Sequence, residues 1–282
     1  MKTKTICIAL STLLMCSCAS NAQNWFGNKT IKESKNYVTK EIKVNDFNKI
    51  TVTGSPTVVY TQRSGKPEVT VYTSDNIAEV LDIHVKDGTL YVGFKKGVSV
   101  SYRKLDIRVS SPGLNALSVT GSGEIQLANG LKTEDLTLSV AGSGDLNGNH
   151  IQCDGLKASV AGSGDLDLND IRCATVKASV AGSGDLVLKR LASTSVEASV
   201  AGSGDLVLDG QAEEAQYSVA GSGDLNAFGL EAKSVNASVA GSGDITCHAT
   251  DYLKARTTGS GSIGNKGKPK ELDLPKKNIY EL

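Results

Sequence analysis

Net charge is the first thing this sequence does not have: 30 Lys and Arg stand against 30 Asp and Glu in 282 residues. Neutrality removes the electrostatic reason to expect nucleic acid or an anionic membrane surface as a partner. Large rings are scarce too, with 4 Phe, 1 Trp and 8 Tyr, so the usual aromatic filling of a globular core is missing. The apolar residues are mostly Val, Leu, Ile and Ala, which suit a thin core between sheets. No CxxC occurs, and no Cys/His cluster has the spacing of a zinc site. No serine has the GxSxG setting of a hydrolase nucleophile.

Nor is there an apolar run long enough to span a bilayer, which needs about 20 residues. Ile6 to Cys16 follows Lys2 and Lys4 and stops short of that, as an export signal does. Two processing routes are legible. Ser20 and Ala22 fit a signal-peptidase site that would release a chain starting at Gln23, and Cys18, behind Met15 and Ser17, fits a lipid-carrying cysteine. Either route takes the chain out of the cytoplasm, to the periplasm, an outer-membrane anchor or the cell surface. Membrane contact is expected only through such a lipid. Beyond the leader's Cys7, Cys16 and Cys18, three cysteines remain, Cys153, Cys173 and Cys247. An odd count in an oxidising compartment leaves at least one thiol free or paired between chains.

What the sequence has in abundance is one short phrase. "SVAGSGD" recurs from Ser139 to Asp244 with barely a change, and GS pairs begin at Gly121, Gly142, Gly162, Gly182, Gly202, Gly221, Gly241 and Gly259. The repeat is close to 20 residues, drifting by one or two outside the phrase, which a loop tolerates and a strand does not. Val176, Ala178, Val180, Gly182, Gly184, Leu186 and Leu188 share one parity, while Lys177, Ser179, Ser183, Asp185 and Lys189 share the other. That period of two marks a strand with one buried face, and a helix would scatter it. Leu131, Ile151, Ile171, Leu191 and Leu230 recur in phase between these stretches, giving each repeat a third, smaller apolar face.

A unit this small cannot bury its own core, but stacking on its neighbours can. The expected fold is all-β: a parallel β-solenoid, right-handed by the usual hand of parallel connections, whose seven main rungs make a rod of about 35 Å. The glycines read as a narrow edge of the coil, where a side chain would hold the opposite wall away.

The ends differ from the middle. "NKITVTGSPTVVY", Asn48 to Tyr60, aligns with "NALSVTGSGEIQL", Asn115 to Leu127, as a degenerate earlier rung. "IHVKDGTLYVGF" predicts a hairpin turning at Asp87-Gly88, and "KLDIRVSSP" one more strand,. The chain then divides into a signal peptide (1–22), a linker (23–36), an irregular β cap (37–115), the regular solenoid (116–263) and a polar tail (264–282) that would close an aggregation-prone end.

"NWFGNKTIK", "VNDFNKITVTGSPTVVY", "KDGTLYVGF" and the serial "GSGD" rungs, in that order, resemble the putative autotransporter adhesin, head GIN domain family. The likeness runs from about Val38 to Ile263. It implies a secreted or envelope-attached β-solenoid of Gram-negative bacteria, with adhesion suggested by analogy of fold. It carries no catalytic residues, and the chain shows no sign of a membrane-barrel translocator.

The sharpest candidates for chemistry are Asp145, Asp165, Asp185, Asp205, Asp224 and Asp244, stacked in one column with Glu124 at its head. Carboxylates about 4.8 Å apart repel by about 1 kcal/mol per pair even in water, so the repetition needs a cause. Each Asp could accept hydrogen bonds from Ser hydroxyls or turn amides, or the column could be a calcium ladder. Cys153 and Cys173 occupy the same position in adjacent rungs, within disulfide reach. Parallel side chains aim poorly for that torsion, so buried thiols are expected; Cys247 also reads as core. His84, His150 and His248 do not converge on a site.

The outward Ser and Ala columns form a flat polar wall that could meet a second copy, a protein or a glycan. The few rung aromatics, Tyr217 and Phe228, argue against sugar. Together these features predict an exported surface β-solenoid, adhesive or structural and without catalysis, bound to an unidentified surface ligand. The alternatives are a calcium-dependent or glycan-binding β-helix module, or a carbohydrate-active enzyme with paired carboxylates.

Overall fold

The computed structural model describes residues 30–274 and 278–282, so the leader, with the signal-peptide boundary and Cys18, lies outside the described residues. It is a parallel β-solenoid of about eight turns with rungs near 20 residues. Strands Asp145–Gly162, Asp165–Gly182, Leu186–Gly202, Leu206–Gly221, Leu225–Gly241 and Ile245–Gly259 stack in parallel. Identical residues fall on identical residues, as in Lys157 on Lys177 and Val160 on Val180.

Burial shows where each rung turns. In the Asp165–Gly182 strand, buried positions alternate through Leu166 and Leu168, slip to Ile171 and Cys173, then slip again to Val176, Ala178 and Val180. A strand cannot change parity without a bend, so every slip is a corner, and the three apolar segments become three walls. One corner is made by residues in the left-handed region: His150, Asp170 and Arg190, with φ of 60, 55 and 50°. Asp and His tolerate that region better than most side chains do; Arg190 follows because the rung below fixes its path.

The GSG phrase makes a second corner, for a reason other than a thin interior. A Cβ on Gly184 would not meet the opposite wall. It would fall on the rung below, 2.9 Å from the Gly164 nitrogen and 3.0 Å from the Ser163 carbonyl carbon, and closer still to the Gly164 oxygen. Gly182, at φ +137°, would strike the Gly162 backbone in the same way. The corner is locked by one carbonyl, Gly162 O, which accepts from both Ser183 N (2.8 Å) and Gly184 N (3.0 Å). Glycine is therefore required by stacking between rungs.

The N-terminal end is out of sequence order. Lys49–Gly54 and Thr57–Gln62 form the first rung, in the predicted register: Ile50 on Leu117, Gly54 on Gly121, Tyr60 on Leu127. Beneath it lie strands from later in the chain, Thr89–Phe94 and Leu105–Ser111. Leu81–Lys86 pairs antiparallel with Thr89–Phe94 across Asp87 and Gly88, both at positive φ, the two-residue turn expected there. Glu68–Ser74 and Tyr37–Ile42 continue antiparallel and cover the end of the coil. A single helical turn, Asp75–Ala78, ties down the first described residues: Asp75 accepts from Ser34 Oγ and Asn36 Nδ2 (2.9 Å). Its carboxyl lies below the usual range chiefly through the Ser34 bond.

At the other end the tail adds strands to the coil. Ile263–Asn265 pairs with the Ile245–Gly259 strand, as does Glu271–Asp273, and Ile279–Glu281 pairs with Ile263–Asn265. Asn265 is buried and ends the core: its Oδ1 accepts from Ala249 N and its Nδ2 donates to Gly267 O, both at 2.8 Å.

Candidate functional site

The aspartates do form one exposed column, immediately after the GSG corner. Their partner lies in the next rung. Asp165 Oδ1 accepts from Asp185 N (3.1 Å), Asp185 from Asp205 N (3.0 Å), Asp205 from Asp224 N (3.2 Å) and Asp224 from Asp244 N (2.8 Å). Asp244 ends the series by accepting both the amide and the hydroxyl of Ser262, each at 2.8 Å. At the start, the amides of Asp145 and Asp165 bond instead to Gly123 O and Gly144 O. From Asp165 to Asp244 each carboxylate thus holds a corner amide that the sheet ladder leaves over, and a charge-assisted bond of this kind offsets part of the like-charge repulsion. Glu124, at the head, accepts from Gln126 Nε2 and Asn147 Nδ2. No group of three or more His, Cys, Asp or Glu among the described residues is placed to hold a metal ion.

Cys153 and Cys173 are joined by a disulfide, with α-carbons 4.8 Å apart, correcting the expectation of two buried thiols. The in-register pairing already holds the two backbones at disulfide distance,; a modest turn of the side chains closes the bond. Cys247 is free and fully buried, and burial pushes its thiol up to about 12. Its Sγ lies 3.6 Å from Asn265 Oδ1. Tyr217, which stacks between Ala198 and Ala237, is buried inside the coil with its hydroxyl unpartnered, so its ionisation is pushed upward.

The histidines do not meet one another. His84 stacks on Tyr91 and contacts Asp82, and His248 is half-buried beside Cys247 on the opposite parity. His150 Nδ1 contacts Asp170 Oδ2 across one rung of the left-handed corner. That hydrogen bond, more than the neighbouring charges of His150, Arg172 and Arg190, holds the Asp170 carboxyl below its ordinary value.

Sequence reasoning missed where the repeat breaks. Along this same corner the rung between Gly202 and Gly221 is one residue short: Leu188 pairs with Leu208, but Leu191 pairs with Gly210. The residue equivalent to Arg190 is absent, and the following rung is out of step too, with Asp209 opposite Gly229. The 19-residue gap between Gly202 and Gly221 was the available signal.

A family model described as "Putative auto-transporter adhesin, head GIN domain" matches residues 46–170 and again 159–269. Three crystal structures are similar over nearly the whole chain. One, described as a putative adhesin from Parabacteroides distasonis, is 26% identical with a TM-score of 0.71, covering 89% of this chain and 99% of its own. A second from the same organism, described as a putative lipid binding protein, is 27% identical with a TM-score of 0.68, covering 90% and 100%. A putative adhesin from Parabacteroides merdae is 29% identical with a TM-score of 0.64, covering 90% and 99%. No protein of curated function matches the chain.

Proposed function

The chain belongs to the putative auto-transporter adhesin, head GIN domain family, and from that premise we propose that it is an exported surface protein whose rigid coil presents a binding wall and performs no catalysis. The observation that carries this reading is the aspartate column. The acids best placed by number and exposure for chemistry are periodic, and five in succession are spent on holding the amide of the next rung. A catalytic pair would stand apart from the repeat, with one carboxyl differently housed from the other. The disulfide supports export, since such bonds persist in oxidising compartments,. Anchoring through a lipid on Cys18 belongs to the same proposal.

The test uses the full exported chain on beads, presented to epithelial monolayers and to bacterial cells. Retention above that of albumin-coated beads is expected, and equal retention contradicts adhesion. Protease shaving of intact cells should remove the protein, and Cys18→Ser should move it from the membrane fraction to the soluble one.

A further inference from the structure

Two cavities lie side by side on the outer surface of the wall that follows the aspartate column, of about 510 and 360 Å³. Asn169 borders both. In-register pairing sets the outward residues Gln126, Asn147, Asp167, Val187, Val207 and Asn226 in one row along the coil. Five rung steps make this row about 24 Å long, and the two cavities lie along it as a shallow groove. We propose that it is a binding site for a linear oligosaccharide, an inference that rests on the adhesive reading and supplies its ligand class.

The larger cavity coincides with the irregular stretch: Lys189, Arg190 and Asp209 line it where one rung is a residue shorter than its neighbour, and Phe228 and Gly229 line it from the next rung, which is out of step in turn. Phe228 is 42% exposed and lines the notch, with Lys266 Nζ 4.4 Å from its ring centroid. Breaks in a β ladder re-aim side chains and gather at functional sites, and this one sets an exposed ring beside polar groups of both kinds.

Those groups suit hydroxyls. Side-chain amides offer a donor and an acceptor on one planar head, which matches a pair of neighbouring sugar hydroxyls. Asn169 borders both cavities, and its Oδ1, closed off from solvent, has no hydrogen-bond partner, so a sugar hydroxyl reaches it only once the side chain turns outward. Lys189 and Arg190 stand with Asp209 at the notch, and Asp167 lies in the smaller cavity, so the groove carries both signs and selects for polarity over charge. Scarce rung aromatics weigh against sugar in the sequence, but of Tyr217 and Phe228 only the first is buried in the coil; the apolar face of a sugar ring can lie against the second, in the pattern of a small-molecule site with a hydrophobic platform and a few placed polar groups.

The full exported chain is applied to a printed glycan array and titrated with soluble hexasaccharides of glucose, mannose and N-acetylglucosamine. Phe228→Ala and Asn169→Ala are compared with Lys177→Ala, which lies on another wall; all three are outward positions, and circular dichroism checks each fold. Binding of at least one saccharide, weakened about tenfold or more by the two groove variants and unchanged by Lys177→Ala, is expected. An array without a hit, or binding that survives both groove variants, overturns the proposal. Beads of the groove variants separate it from the adhesive reading. Beads that still adhere refute the groove and leave adhesion standing, whereas wild-type beads that never adhere refute adhesion whatever the array shows.

Discussion

Replacing Gly184 by alanine tests the reason for the repeated phrase. The new Cβ would sit 2.9 Å from Gly164 N and 3.0 Å from Ser163 C, well inside normal contact, and both are backbone atoms. They cannot swing aside as a side chain would. Moving them lengthens the bonds that Gly184 N and Ser183 N make to Gly162 O. Overpacking a well-filled site costs about 1–3 kcal/mol, and contact with immobile backbone places this case near the top, at about 3 kcal/mol.

The first rung supplies a natural control. Pro56 occupies the second-glycine position there, buried, beneath Gly123. It fits because no GSG corner lies below it: the strands under that rung, Thr89–Phe94 and Leu105–Ser111, are joined by a long excursion. Urea unfolding followed by far-ultraviolet circular dichroism should show Gly184→Ala far less stable than wild type. Ser183→Ala, exposed on the adjacent position, should stay within about 0.5 kcal/mol. Equal behaviour of the two variants would refute the stacking argument.

Asp185→Asn keeps an acceptor for Asp205 N while removing repulsion from Asp165 and Asp205, so its melting temperature should rise, by less at high salt; Asp185→Ala should melt lower, and chelator or added calcium should leave wild type unchanged. A calcium-dependent midpoint would assign the column to metal instead. Replacing Cys153 and Cys173 by serine opens a loop of 20 residues and should cost about 3 kcal/mol, while Cys247 should resist alkylation until the protein is unfolded. Asp170 has its carboxyl lowered in the folded state, so its stabilisation is complete above the ordinary value of 3.8 and is lost as pH falls through the lower folded value,. The melting-temperature gap between wild type and Asp170→Asn should therefore be present at pH 7 and close below about pH 4, and a gap that persists in acid would contradict this.

Much of the coil could be read from parity alone. The alternation of Val176, Ala178 and Val180 with Lys177 and Ser179 reports the wall directly, and the match of Ile50 to Leu117 survives residue by residue in the pairing. What stayed hidden depends on contacts distant in sequence. Nothing in Thr89–Phe94 says that it will lie under Lys49–Gly54, because that pairing is a choice among parallel partners and no motif marks it. The aspartate's acceptor role was foreseeable, but its donor, an amide one rung away, was not. The disulfide was misjudged because a stacked column was treated as rigidly parallel. The notch beside Phe228 was written as a missing residue, which resembles harmless loop drift until the rungs are laid on one another.

The claim that everything else requires is that successive GSG corners stand one above another. Pairs of nitroxide labels at the exposed serines give the spacing by pulsed electron resonance: Ser122 with Ser203, with Ser222 and with Ser260. Stacked rungs predict separations that grow in even steps of about 4.8 Å per rung, to about 34 Å for the last pair. Separations that fail to increase with rung number would contradict the solenoid, and with it the wall, the groove and the proposed ligand.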